Sequence, residues 1–165
     1  MKNHRIILSG LLIVLVAATT NLFKGTFYLN MTRSEPVGLY KIVKGSTAKR
    51  GDLVFIKLPA EFDKYVYGRG WLPQGWPLLK KVGGIEGDLY CYSGSEFTIN
   101  QNPVGTIFKS DSQGLPLPAK AGCFTVKKNN FLPVATGLIS SFDSRYFGEI
   151  STSNIIGVAS PILTF

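Results

Sequence analysis

Histidine is almost missing from this chain of 165 residues: the single one is His4, and it precedes a long apolar run. A Ser-His-Asp or Cys-His catalytic site is therefore excluded from everything after that run, and so is a histidine-based metal centre. Cysteine is scarce as well. Cys91 and Cys123 are too few and too far apart to form a zinc site by themselves. Acidic residues number 10 against 18 lysines and arginines, which leaves a net charge of +8. That surplus is scattered, with adjacent pairs only at 49–50, 80–81 and 127–128. No basic stripe is interleaved with aromatics, so nucleic acid is not an expected partner. No phosphate-binding glycine loop and no internal repeat occurs. No metal and no cofactor is expected.

What is present begins with hydrophobicity. Lys2, His4 and Arg5 precede an apolar stretch that carries no charge until Lys24. As a helix, residues 6–23 would span about 27 Å, close to the core of a thin bilayer. Val16-Ala17-Ala18 resembles a cleavage site, which would make the stretch a removable signal peptide. The alternative is an uncleaved anchor, favoured because the run continues through Leu22-Phe23. Both readings leave the N-terminus inside and the rest of the chain outside. The expected organisation is a single-pass membrane anchor over residues 1–25 and one extracytoplasmic domain over 26–165. In such a compartment Cys91 and Cys123 are expected to form a disulfide, with two buried thiols as the other reading.

Beyond Lys24 the pattern is mostly β. Short alternating or apolar runs over 38–43, 53–58, 78–82, 88–92, 97–99, 123–126, 131–135 and 155–159 are separated by Gly, Pro, Asn and Ser. These predict a mainly antiparallel, β-rich single domain. Residues 59–77 differ: they hold Tyr65, Tyr67, Trp71 and Trp76 among glycines and prolines, with a short helix expected over 60–67. This segment reads as a lid touching the bilayer or a membrane-bound substrate, because Trp and Tyr satisfy an apolar ring and a polar edge at a lipid–water boundary. A plain aromatic core plug is the other reading.

The chemistry narrows by elimination. Asp52, Glu86, Asp88, Asp111 and Asp143 could supply a carboxylate pair, but Asp52 and Asp88 follow glycine in turn contexts, where Asp serves the turn. Arg50-Gly51-Asp52 is read as a turn entering a strand. A serine activated by a neutral lysine remains. Burial against apolar neighbours disfavours the ammonium. Leu78-Leu79-Lys80-Lys81-Val82 offers such a setting. Successive strand residues face opposite ways, so only one of the two lysines can enter the core.

Asn30-Met-Thr-Arg-Ser34-Glu-Pro36-Val-Gly38-Leu-Tyr40 resembles the nucleophile motif of TraF-type conjugative-transfer peptidases, a branch of the type I signal peptidase superfamily. Arg50-Gly-Asp-Leu-Val-Phe resembles the superfamily's Arg-Gly-Asp box. Lys80-Lys-Val-Gly-Gly84-Ile-Glu-Gly87-Asp88 resembles its lysine box, though Glu86 stands where proline is common and Gly83-Gly84 loosens the segment. Ser140-Ser-Phe-Asp143-Ser-Arg145-Tyr-Phe-Gly148 resembles its final box. The four boxes occur in family order across residues 30–148.

The resemblance implies a signal-peptidase-like β domain behind one N-terminal transmembrane helix. It implies Ser34 as nucleophile and Lys80 as general base. It implies an oxyanion hole from the Ser34 amide and the Thr32 hydroxyl. Ser141 would orient the lysine amine, and Asp143 and Arg145 would form a structural ion pair. The activity implied is a membrane-bound Ser-Lys endopeptidase that processes or cyclises a pilin precursor for conjugative transfer. Two alternatives stay open: a general signal peptidase acting on export signals, and a non-catalytic envelope assembly factor. The expected partners are a membrane-associated precursor protein and the lipid bilayer.

Overall fold

The computed structural model describes residues 26–165. The expected anchor lies outside the described residues, and no helix among these is long and apolar enough to cross a membrane.

Among the described residues eleven strands form two antiparallel sheets. The larger contains β1 (Phe27–Asn30), β2 (Gly38–Val43), β3 (Leu53–Ile56), β4 (Leu78–Ile85), β9 (Asn130–Val134), β10 (Ile150–Ser151) and β11 (Ile155–Thr164), in the order β1-β2-β11-β3-β4-β9-β10. The smaller contains β5 (Leu89–Ser93), β6 (Glu96–Ile99), β7 (Asn102–Thr106) and β8 (Gly122–Thr125), in the order β7-β6-β5-β8. The expectation of a mainly antiparallel β architecture agrees with this arrangement. β1, β7 and β10 were not expected. β10, two residues long, is too short to show a period, and Pro103 interrupts the residue pattern of β7, where a missing N–H confines proline to irregular or edge positions. β7 is indeed an edge strand, and its pairing with β6 slips between Phe97 and Thr98.

The core follows from alternation. Val54, Ile56, Leu78, Val82 and Phe131 from the large sheet pack with Phe142, Tyr146 and Phe147. Tyr90, Tyr92, Phe97 and Ile99 of the small sheet pack with Leu132 and Val134, so β9 serves both layers. The strand β4 runs on through Gly83 and Gly84, with a register shift between Val82 and Gly84. A Cβ at Gly83 would stand 2.6 Å from Val134 Cγ2, and one at Gly84 2.6 Å from Leu132 Cδ1. The two glycines therefore let β4 press onto β9; they do not end the strand. Cys91 and Cys123 are opposite one another on β5 and β8 and form a disulfide.

Residues 59–77 contain a 3₁₀ turn (Ala60–Phe62) and the short helix α1 (Asp63–Val66). Their aromatics are neither a buried plug nor freely exposed. Tyr65, Tyr67, Trp71 and Trp76 are half-buried against the main core. Large exposed apolar side chains occur elsewhere. Leu29, Leu39 and Leu163 are cross-strand partners in one line across β1, β2 and β11. Leu29 and Leu163 are exposed, as are Phe27, Met31, Ile162 and Phe165 around them. On the other face of the same strands Tyr28 and Tyr40 pack on Phe55.

Candidate active site

Ser34 sits in the loop between β1 and β2, and Asn30 shapes that loop. The Asn30 side chain is buried. Its Nδ2 donates to the carbonyls of Thr32 (2.9 Å), Glu35 (3.0 Å) and Pro36 (3.0 Å), and its Oδ1 accepts from the Thr32 amide at 3.2 Å. Tyr40 Oη also donates to the Pro36 carbonyl, at 2.6 Å. Gly38 is required where β11 crosses, since a Cβ there would fall 2.0 Å from the Leu163 carbonyl oxygen. The residue pattern from Asn30 to Tyr40 thus describes one wound loop whose backbone carbonyls are satisfied internally. The role of Asn30 was not foreseen. Its one sequence signal is an amide ending a strand two residues before a threonine, a spacing that suits Asx-type bonding.

Lys80 lies opposite Val54 in the β3–β4 ladder. It is 2% exposed, while Lys81 is half-buried on the other face. Burial pushes the Lys80 pKa down to about 8; Asp143 pulls it back up, Arg145 lowers it further and Glu35 raises it. Lys80 Nζ donates to Ser141 Oγ at 2.6 Å, and Ser141 Oγ donates to Ser34 Oγ at 3.0 Å. Among the described residues no hydrogen bond joins Lys80 to Ser34 directly. The three side chains form a chain, with the Ser141 hydroxyl in the middle.

Ser141 is held by the segment that follows it. Asp143 caps the helix α2 (Ser144–Phe147) by accepting from the Arg145 amide. Its Oδ2 also accepts from the Ala135 amide at 2.8 Å. The Arg145 guanidinium pairs with Asp143 at 2.9 Å and donates to the Ser141 carbonyl at 3.0 Å and to the Ile139 carbonyl. Both ion-pair partners are fully buried. The pair fastens residues 138–141 to Ala135, just after β9, and so places the Ser141 hydroxyl.

Ser34 opens onto a groove of about 470 Å³ that is also lined by Thr32, Trp71, Phe108, Phe142 and Tyr146. A smaller recess of about 70 Å³ reaches Lys80 between Val66, Leu72 and Leu78. Trp71 therefore brings the 59–77 segment beside Ser34. Arg69 joins this segment to the far wall of the groove: its guanidinium donates to Asp111 Oδ2 and to the Pro116 carbonyl, each at 2.7 Å, and lies over Tyr65 and Trp71. Thr32 Oγ1 donates its hydrogen to Asn30 Oδ1 at 3.0 Å, so the hydroxyl must turn before it can serve an oxyanion. The Ser34 amide makes no hydrogen bond among the described residues. Among the described residues no cluster of His, Cys, Asp or Glu could hold a metal ion.

A family model described as signal peptidase, peptidase S26, matches residues 2–164. "Conjugal transfer protein TraF" of Agrobacterium fabrum is 35% identical over 163 residues, covering 93% of this chain and 91% of that protein. "Signal peptidase I V" of Bacillus subtilis is 34% identical over 93 residues, covering 50% of this chain and 55% of that protein. A solved signal peptidase I from Enterococcus faecalis aligns with TM-score 0.41 and 17% identity, covering 70% of this chain and 98% of that one.

Proposed function

This chain belongs to the signal peptidase family of peptidase S26, in its TraF-type branch, and from that premise we propose that it is a Ser-Lys endopeptidase maturing a pilin precursor for conjugative transfer. The observation that carries the reading is the buried chain Lys80–Ser141–Ser34. A lysine that loses its proton near pH 8 is a usable base at physiological pH, where an exposed lysine is not. Once Lys80 is neutral its amine accepts and both hydroxyls turn, so that Ser34 donates to Ser141 and Ser141 to Lys80; the Ser34 proton then passes to Ser141 and the Ser141 proton to Lys80 as Ser34 Oγ attacks the scissile carbonyl. The Ser34 amide, with the Thr32 hydroxyl once turned from Asn30, stabilises the oxyanion. The protonated lysine then returns the proton to the leaving amine. The acyl group on Ser34 passes to water, or to the precursor's own N-terminal amine, which would close a ring.

The site is proposed to work at the inner membrane surface, on the periplasmic side, with residues 1–25 as anchor. The leucine row of β1, β2 and β11 supports this. It begins directly after the apolar run 6–23 and is bordered by Met31, which leads into the Ser34 loop. An apolar patch with lysines such as Lys41 on the same face suits a bilayer with anionic headgroups. The 59–77 aromatics then act as a groove wall for the precursor, not as the bilayer contact.

The test is co-expression of the full chain with a pilin precursor of its own transfer system. Wild type is expected to yield the matured pilin and Ser34→Ala the unprocessed precursor, with bulk export precursors processed in both. Accumulation of export precursors on loss of the chain would favour a general signal peptidase. Normal pilin maturation by Ser34→Ala would leave only a non-catalytic assembly role.

A further inference from the structure

Arg69 is a single side chain shared by both walls of the Ser34 groove. Its guanidinium carbon lies 4.9 Å from the centre of the Tyr65 ring and 5.5 Å from that of Trp71, within reach of a cation–π contact. Its nitrogens donate to Asp111 Oδ2 and to the Pro116 carbonyl, each at 2.7 Å. A planar guanidinium can do both at once, stacking its face on rings while its edge bonds to oxygens. Neither Arg69 nor Asp111 takes part in the Lys80–Ser141–Ser34 chain.

The far wall depends on this tie. Residues 109–117 form a small hairpin: the Leu117 amide donates to the Lys109 carbonyl and the Asp111 amide to the Leu115 carbonyl, each at 2.9 Å, and Ser110 bridges to Pro116. Asp111 pins the hairpin. Its Oδ1 accepts from the Gln113 and Leu115 amides, both at 2.9 Å, and its Oδ2 accepts from Arg69. Apolar burial holds this segment weakly. No residue of 107–121 is buried, although Ile107 and Leu117 pack on the edge of the main core. At the base the Phe108 amide donates to Tyr146 Oη at 3.1 Å. Among the described residues, the hydrogen bonds that reach 109–117 from outside come from Arg69. The Arg69 and Asp111 side chains are only 13% and 6% exposed. Their pair is thus shielded from water, unlike the exposed ion pairs that contribute little.

Both tied walls bear on Ser34. Trp71 lines the groove and also the recess that reaches Lys80, and its ring stands edge-on to Phe142 with 5.7 Å between centres. Phe108, Ser110, Asp111 and Leu117 line the groove from the hairpin side. Rings and a leucine suit apolar side chains of an extended peptide. Such a groove binds well only if its walls are already at their working distance, because ordering a loose wall on binding consumes affinity.

We propose that Arg69 and Asp111 are positioning residues for substrate binding: their tie holds the 109–117 hairpin at a fixed distance from Trp71 and so builds the part of the groove that grips apolar peptide residues beside the scissile bond. The proposal rests on the Ser-Lys reading above.

The experiment uses the purified full chain in detergent and two p-nitrophenyl esters, which acylate an activated serine and release p-nitrophenolate in a burst. One is the acetate, which occupies Ser34 alone. The other is the ester of an acetyl-capped tetrapeptide of alanine and leucine, which extends along the groove. The burst rate is followed against ester concentration in wild type, Ser34→Ala, Arg69→Ala, Asp111→Asn and the double variant, with thermal melts to establish folding. Asp111→Asn keeps an oxygen for the Gln113 and Leu115 amides and removes the acceptor for Arg69, so it tests the tie even where Arg69→Ala fails to fold. Wild type is expected to prefer the peptide ester. Each single variant is expected to raise the half-saturating concentration of that ester about tenfold, with its limiting rate lowered by less than about threefold. The double variant is expected to match the worse single one, since both changes break one tie. A merely structural role would lower the burst amplitude with both esters and leave the half-saturating concentration unmoved. A Ser34-dependent burst whose half-saturating concentration for the peptide ester in Asp111→Asn stays within about twofold of wild type overturns the proposal while the Ser-Lys reading stands. A wild type without preference for the peptide ester overturns it too. A burst that is absent in wild type or survives Ser34→Ala removes that reading, and the proposal with it.

Discussion

Lys80 Nζ gives its hydrogen bond to Ser141 Oγ, 2.6 Å away, and reaches Ser34 only through that hydroxyl. Ser141 is therefore more than packing beside the lysine: it is the one group that touches both ends of the proposed proton path. Ser141→Ala should lower kcat by about a hundredfold with KM little changed, and Ser141→Thr should recover part of the rate because the hydroxyl returns. Steady-state kinetics on a precursor peptide checks this. A kcat within a few-fold of wild type in Ser141→Ala would mean that Lys80 reaches Ser34 directly.

Lys80 should weaken the fold that it serves. Its folded pKa is about 8 against 10.5 for a free lysine. Below pH 8 both states hold the proton, and the folded state bears the full cost of a buried ammonium. Between about 8 and 10.5 only the unfolded state still binds the proton, so stability rises with pH and the cost is relieved. Lys80→Met should therefore be inactive yet more stable at pH 7, by up to about 3 kcal/mol, with the gain shrinking towards pH 10. Urea melts of both proteins at pH 7 and pH 10 measure it. A Lys80→Met protein less stable at pH 7 would contradict the burial argument.

Arg145 is expected to be unusually sensitive. Arg145→Met leaves Asp143 buried without its cation and frees the carbonyls of Ile139 and Ser141, at a cost of about 3–5 kcal/mol. Denaturant unfolding should show the loss. Removing both charges, as in Asp143→Asn with Arg145→Met, should be less damaging than the sum of the single changes.

The Cys91–Cys123 bridge closes a loop with a sequence separation of 32 and lies in the small sheet, away from Ser34. Replacing both cysteines by serine should cost about 2–4 kcal/mol of stability. At a permissive temperature activity should be nearly unchanged, since neither cysteine lines the Ser34 groove. Comparing melting temperature with the catalytic rate of the double variant separates the two effects.

Much of this arrangement was legible from residue order. The two-residue period of β4 already required Lys80 and Lys81 to part company, and the structure buries Lys80 while leaving Lys81 half-exposed. Most strands of both sheets showed as short apolar runs between turn residues. What was not legible depends on contacts distant in sequence. Asn30 looks like any strand-ending amide until the loop folds back over it. Glu35 looks solvated, because burial of a carboxylate beside proline has no local signal. The tie from Arg69 to Asp111 spans 42 positions, and nothing in either neighbourhood names the other. The aromatics of 59–77 carried a composition suited to an interface, yet the rings of Tyr65 and Trp71 settle on Phe142, while the exposed apolar row joins the neighbouring strands β1 and β2 to the distant β11. Composition indicates what a segment can contact; register decides what it does contact.

The central claim is that Ser34 becomes acylated and that Lys80 makes it reactive. Intact-mass analysis with peptide mapping, after brief exposure of the full chain to a p-nitrophenyl ester at pH 8, tests it directly. The account predicts one acyl adduct, mapped to Ser34 in wild type, absent in Ser34→Ala and reduced at least about a hundredfold in rate in Lys80→Ala. An adduct on another residue, or Ser34 acylation at the wild-type rate in Lys80→Ala, would contradict it.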